Sequence, residues 1–197
     1  MKVLDLGCGA GGWSIPFIED GDEVWGIDIK NHGYPGHLIE EDIRNLDGYG
    51  FHDMDFIIGS PPCTEFSGPK HAWPKNHPAN PKEGVALVKE FERLINEAQP
   101  KYWALENIAN MTKWYNPKTI WRFRISHSGR RLLWGTLPIP LGPEFRFKRV
   151  FGCTRETRLK YGRRSVRNSV KRAMIPYPIA RFIADTAKAS VKMAKPK

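Results

Sequence analysis

The chain opens on an apolar stretch, Lys2-Val3-Leu4-Asp5-Leu6, that runs without a break into Gly7-Cys8-Gly9-Ala10-Gly11-Gly12. No other feature constrains the fold as much. The apolar run reads as a buried strand. A glycine-rich turn behind it lets backbone approach a ligand before the chain enters a helix, expected here over Trp13 to Ile18. The next apolar run, Glu23 to Asp28, ends in a carboxylate 17 residues after Gly11, close to the spacing at which an acid grips ribose hydroxyls. Glycine turns of this kind also serve nicotinamide and flavin cofactors, so the turn by itself names none.

Further strands are expected at His37 to Glu40, leading to Asp42, at 54–58 and at Tyr102 to Glu106. Val85, Leu87, Val88, Phe91, Leu94 and Ile95 recur at helical spacing and predict a helix over 83–98, stopped by Gln99-Pro100. Residues 119–125 and 131–134 predict a closing hairpin, and an amphipathic helix begins near Ile175. Strand–helix alternation through residue 106 argues an α/β chain with a doubly wound, Rossmann-like parallel sheet. At 197 residues one domain is expected. With no run of 18 apolar residues and no charged-then-apolar leader in the sequence, a soluble cytoplasmic protein without membrane contact is expected. Cys8, Cys63 and Cys153 form no CxxC pair and no zinc spacing, which predicts reduced thiols and no metal site.

Charge is distributed in two blocks. Residues 1–110 carry 9 Lys and Arg against 18 Asp and Glu, whereas residues 111–197 carry 22 against 3. The basic half also holds Trp114, Tyr115, Trp121, Phe123, Trp134, Phe145, Phe147 and Tyr161. Cations neutralise phosphates and aromatic rings stack bases, so the combination predicts a nucleic-acid surface, although a basic tail can be merely solvated.

The strand at 54–58 leads into Gly59-Ser60-Pro61-Pro62-Cys63-Thr64-Glu65-Phe66-Ser67. Two successive prolines fix φ and remove two amide donors, so the thiol stands at the end of a stiff turn. Open α/β sheets place their chemistry at strand ends of this kind. A second marker, Glu106-Asn107, lies 43 residues beyond Cys63. Either marker alone has an ordinary explanation, a small buried hydrophobe for the cysteine and a helix cap for the pair. Residues 66–82, with Pro69, Pro74, Pro78 and Pro81, are expected to form a lid over the thiol.

In this order, Asp5-Leu6-Gly7-Cys8-Gly9-Ala10-Gly11-Gly12, Pro61-Pro62-Cys63 and Glu106-Asn107 resemble the cytosine-5 DNA methyltransferase family, in a small, phage-like form. Asn168-Ser169-Val170 and Ile175-Pro176 with the terminal helix resemble that family's last motif, which packs back beside the cofactor. The resemblance implies a class I S-adenosylmethionine methyltransferase that forms 5-methylcytosine in DNA, as in restriction-modification. It implies a catalytic region over 1–135, a short basic target-recognition segment over 136–167, and a returning helix over 168–197.

S-adenosylmethionine is then expected on Asp5, Gly7, Gly9, Gly11 and Trp13, with its ribose on Asp28 and Ile29, its adenine by Asp42 and Ile43, and Ser60 and Pro61 alongside. Cys63 is expected to add to cytosine C6 while Glu106 meets the N3 edge, which calls for a carboxyl of raised pKa. Ser67, Asn107 and Arg131 are expected to bind substrate, with Arg131 on phosphate.

Some residues depart from the family. Thr64 stands where most relatives carry Gln. Of the family's Gln-x-Arg-x-Arg segment, Ser126-His127-Ser128-Gly129-Arg130 keeps one arginine, making Arg130 the expected third catalytic residue. The short recognition segment predicts short or relaxed specificity, or a separate specificity partner. Two alternatives stay open: a methyltransferase acting on cytosine in RNA such as tRNA, and a catalytically silent module that binds cofactor and DNA.

Overall fold

The computed structural model describes residues 1–67, 78–119, 121–124, 131–138, 175 and 177–193. Seven strands form one sheet: β1 (Lys2–Leu6), β2 (Glu23–Asp28), β3 (His37–Glu40), β4 (Phe56–Gly59), β5 (Tyr102–Ile108), β6 (Trp121–Arg124) and β7 (Arg131–Gly135). Their order across the sheet is β3-β2-β1-β4-β5-β7-β6. The first five strands are parallel, and the β6–β7 hairpin joins β5 antiparallel. From β1 the chain winds outward through β2 and β3, then returns to lay β4 and β5 on the other side. The crevice at a reversal of this kind is where open α/β sheets bind their ligands. Here it lies between the turns that follow β1 and β4.

Alternation along the strands sorts side chains to two faces. Val3, Val24, Phe56, Ile58, Ala104 and Leu133 pack with α1 (Ile15–Glu19) and the C-terminal α3 (Tyr177–Met193), through Phe17, Ile179, Ala180, Ile183 and Ala187. On the opposite face Leu4, Leu6, Ile57, Leu105, Leu132 and Trp134 pack beneath α2 (Pro81–Ala98) through Val88, Phe91, Leu94 and Ile95. Burying a side chain such as Phe91 stabilises the fold by roughly 1.5–3 kcal/mol. Helices cover both faces, as expected of a doubly wound sheet.

Several boundaries move, for local reasons. The fourth strand starts at Phe56 because Met54 N donates to Phe51 O in a turn. α2 gains a first turn because Asn80 caps it and Pro81 follows the cap, a position where a missing N–H costs nothing. β5 runs on to Ile108 because Asn107 and Ile108 pair with Leu132 and Arg131 of β7. The first residues expected in a recognition segment belong instead to the sheet domain. Thr136 N donates to Trp103 O at 3.1 Å, Trp103 N donates to Thr136 Oγ1 at 3.1 Å, and Leu137 is buried beneath α3. Residues 139–167 of that segment, the motif at Asn168, Cys153 and most of the expected lid lie outside the described residues. No described helix is long and apolar enough to cross a membrane.

Candidate active site

The glycine turn is built by hydrogen bonds as much as by composition. Gly7 N and Cys8 N both donate to Ile27 O, at 2.8 and 3.0 Å, and Gly11 N donates to Cys8 O at 2.8 Å. Gly11 has φ +82°, and a Cβ there would stand 2.7 Å from Pro35 Cδ, so only glycine fits. Gly9 has φ +53° and faces open space, leaving its backbone approachable. Gly9 N donates to Asp28 Oδ2 at 2.9 Å, and Lys30 N donates to Asp28 Oδ1 at 3.2 Å. Ile29 beside it is 76% exposed.

Four residues expected on the cofactor have partners within the protein. Trp13 is 2% exposed in the core beneath α3, with its indole Nε1 donating to Ser60 Oγ at 2.8 Å. It offers a ligand no surface. Asp42 caps a short 3-10 turn over Ile43–Asn45 and takes Arg44 Nη2 at 2.6 Å, which holds its carboxyl below the usual range. Ile43 leans on the α2-side core. Asp5 is buried as well: Tyr34 OH donates to Ser14 Oγ at 2.7 Å, Ser14 Oγ donates to Asp5 Oδ2 at 2.6 Å, and Asp5 Oδ1 has no hydrogen-bond partner among the described residues. Desolvation raises the Asp5 pKa to about 7.

Past β4, Ser60 N donates to Leu6 O at 3.0 Å and the prolines carry the chain into a 3-10 turn, Cys63–Phe66. Ser67 closes that turn, its N donating to Thr64 O at 3.1 Å and its Oγ to Cys63 O at 3.0 Å. The hydroxyl expected to reach a substrate is therefore spent on the turn. Asn110 Nδ2, from the turn after β5, donates to Phe66 O. Cys63 is half-buried. Burial raises its thiol pKa, the Glu106 carboxylate raises it further, and Arg131 lowers it.

Glu106 and Asn107 occupy opposite faces of β5. Glu106 is 4% exposed; burial raises its pKa, while Arg131 and, last, the neighbouring Ser60 hydroxyl pull it back. Asn107, expected on the substrate, is fully buried: its Nδ2 donates to Pro61 O at 3.0 Å and its Oδ1 accepts from Ile108 N at 2.8 Å. It holds the cysteine turn against β5 and faces no ligand. Arg130 lies outside the described residues. The arginine found on Glu106 is Arg131, whose Nη1 donates to Oε1 at 3.0 Å. Strand parity contained this signal. Glu106 pairs with Leu133, and Arg131 shares Leu133's face as the diagonal neighbour.

The profile of C-5 cytosine-specific DNA methylases matches residues 1–124. The chain belongs to that family. Type II methyltransferase M.FnuDI of Fusobacterium nucleatum is 31% identical over 130 residues, which make up 61% of this chain and 36% of the relative. Type II methyltransferase M1.HphI of Haemophilus parahaemolyticus is 30% identical over 153 residues, 67% of this chain and 38% of the relative. The chain thus spans little more than a third of these relatives' length. Among solved structures, the methyltransferase EhMeth of Entamoeba histolytica is 11% identical with a TM-score of 0.51, covering 72% of this chain and 55% of that one. This last likeness shows a shared fold.

Proposed function

We propose that the chain methylates C5 of cytosine in DNA, using S-adenosylmethionine. The observation that carries this reading is the convergence of a half-buried thiol, Cys63, with a buried carboxyl, Glu106, and its arginine, Arg131, at the ends of adjacent strands beside a glycine turn. Cytosine C5 is a weak nucleophile until a thiolate has added at C6. Electron density then moves toward N3, where a protonated Glu106 can give its proton. Burial keeps that carboxyl in its acid form to higher pH, and Arg131 keeps it in place. Once C5 carries the transferred methyl, loss of the C5 proton to a base, expulsion of Cys63 as thiolate and return of the N3 proton to Glu106 would restore the aromatic ring.

The residues beside the thiol suit a nucleoside cofactor. Gly9 leaves its backbone open, the Asp28 carboxylate has acceptor capacity beyond its two amide bonds, and Ile29 exposes an apolar side chain. S-adenosylmethionine bound there would supply an electrophilic methyl group. The buried target atoms of a base are reached only after it leaves the stack, and the basic half of the chain is suited to holding the phosphates around it.

An oligonucleotide carrying 5-fluorocytosine tests the reading, because fluorine cannot leave as a proton does and the C6 thioether persists. With S-adenosylmethionine present, a denaturation-resistant adduct at Cys63 is expected on DNA and absent in Cys63→Ala. Adducts on RNA alone would transfer the reading to RNA. No adduct and no methyl transfer on either would leave a silent binding module.

A further inference from the structure

We propose that Ser60 is a positioning residue for Glu106, held in its donating orientation by the indole of Trp13. The inference rests on the reading of Glu106 as the acid that meets cytosine N3.

An indole N–H can only donate, whereas a hydroxyl has one proton and two lone pairs. Ser60 Oγ accepts from Trp13 Nε1 at 2.8 Å, so the proton left on Ser60 is free for another acceptor. Gly59 pairs with Leu105 in the parallel register and its Cβ direction is toward Phe91, so Ser60 and Glu106 follow as cross-strand neighbours on the opposite face. Neither end of this chain can drift. Trp13 is locked in the core beneath α3, and Ser60's backbone is bonded to Leu6 O at 3.0 Å. On its other side the Ser60 carbonyl lies so near Gly7 that a Cβ there would come within 3.0 Å of it.

Glu106 thus meets one charged donor, Arg131, at 3.0 Å, and has the Ser60 hydroxyl as its neighbour from the β4 side. Arginine attracts the carboxylate from across β7, and the serine hydroxyl fixes which way the carboxyl plane faces. A carboxyl free to rotate would present its proton to a bound ring only part of the time, and orientation of this kind carries much of a catalytic group's effect. Trp13 follows the glycine turn directly, so the three side chains also join the cofactor turn to the acid.

The test reads Glu106 itself. In protein labelled with 13C at the glutamate carboxyls, its resonance is assigned by loss in Glu106→Gln and titrated with pH. Removing a donor to the carboxylate makes ionisation harder, so Ser60→Ala should move the midpoint up by roughly one pH unit. Ser60→Thr restores the hydroxyl and should bring the midpoint back to wild type. Trp13→Phe keeps an aromatic ring in the core while losing the N–H and part of the indole's volume; it should shift the midpoint part of the way. An unmoved midpoint in folded Ser60→Ala, or equal shifts in the Ala and Thr variants, would overturn the assignment. The titration needs no activity, so it separates from the fluorocytosine experiment. A midpoint that moves without any adduct would sink the methyltransferase reading alone, and an adduct with no movement would sink the role of Ser60 alone.

Discussion

Asn107 donates its side-chain amide to the carbonyl of Pro61 at 3.0 Å, and this bond joins the strand that carries Glu106 to the turn that carries Cys63. Both partners are buried, so no water replaces a lost donor. Asn107→Asp keeps the acceptor for Ile108 N and sets an oxygen against the Pro61 carbonyl. It should cost about 1–3 kcal/mol in a urea melt. Methyl transfer should fall on the order of 10²-fold, because displacing a thiol by an ångström damages its line of attack. S-adenosylmethionine affinity, measured by calorimetry, should stay within about threefold. A variant that melts early yet transfers at the wild-type rate would show that the bond matters to the fold and not to the site.

The reactivity of Cys63 should follow the charges that face it. Glu106 raises its pKa and Arg131 lowers it, on top of the rise due to burial. Glu106→Gln removes the opposing carboxylate and leaves the guanidinium, so more thiolate forms at a given pH. Arg131→Met acts in the other direction. Iodoacetamide labelling at pH 8, read at Cys63 by peptide mass spectrometry, should therefore be fastest in Glu106→Gln and slowest in Arg131→Met, on the order of tenfold either side of wild type. Cys8, buried in the glycine turn, should label slowly in all three proteins. The reverse order at Cys63 would mean that access, not charge, sets its reactivity.

Asp5 gives the fold a pH dependence of definite sign. Its carboxyl is buried, with one oxygen lacking a hydrogen-bond partner among the described residues, and its pKa is raised from 3.8 to about 7. The native state therefore holds this proton where the unfolded chain has released it. The stabilising contribution is complete below about pH 4 and is lost as pH climbs through about 7. Full release corresponds to an effect of the order of 4 kcal/mol. Asp5→Asn cannot ionise and should flatten the fall in stability between pH 4 and 7, measured by urea denaturation at intervals across that range. Parallel slopes in the two proteins would place the dependence on other groups.

How much of this was legible in the sequence depended on whether a residue's task is local. Gly11 at φ +82° and Asp28 closing β2 follow from chain direction and spacing, and both were readable. The five parallel strands were readable because buried strands leave apolar runs. What pairs across strands was not. That Arg131 reaches Glu106 follows from the register that sets Leu133 against Glu106, and counting along a motif cannot supply it; Arg130 lies outside the described residues. Trp13 and Asn107 have sequence neighbours that suit a ligand site. Each side chain points into the interior, a matter of which face of the turn or strand it occupies. The Trp13–Ser60 contact spans 47 positions and has no sequence signature of its own.

Gly59 closes β4 one residue before Ser60, and its α-carbon faces the ring of Phe91 on α2. A Cβ there would stand 2.4 Å from Phe91 Cε2, 2.7 Å from Cδ2 and 3.2 Å from Leu6 O. The backbone on one side belongs to the sheet and cannot yield, so the ring must. Gly59→Ala should destabilise the fold by about 1–3 kcal/mol, as overpacking of a tight core does. If the clash with Phe91 is the cause, trimming the ring should relieve it. Gly59→Ala combined with Phe91→Leu should then lose less than the two single variants together, with a coupling of about 1 kcal/mol in a double-mutant cycle of urea melts. Because β4 feeds straight into Ser60 and the cysteine turn, rescue of stability should be accompanied by recovery of fluorocytosine trapping. Additive losses would show that the methyl is resisted by the Leu6 carbonyl instead, and no change at Phe91 could then restore the turn.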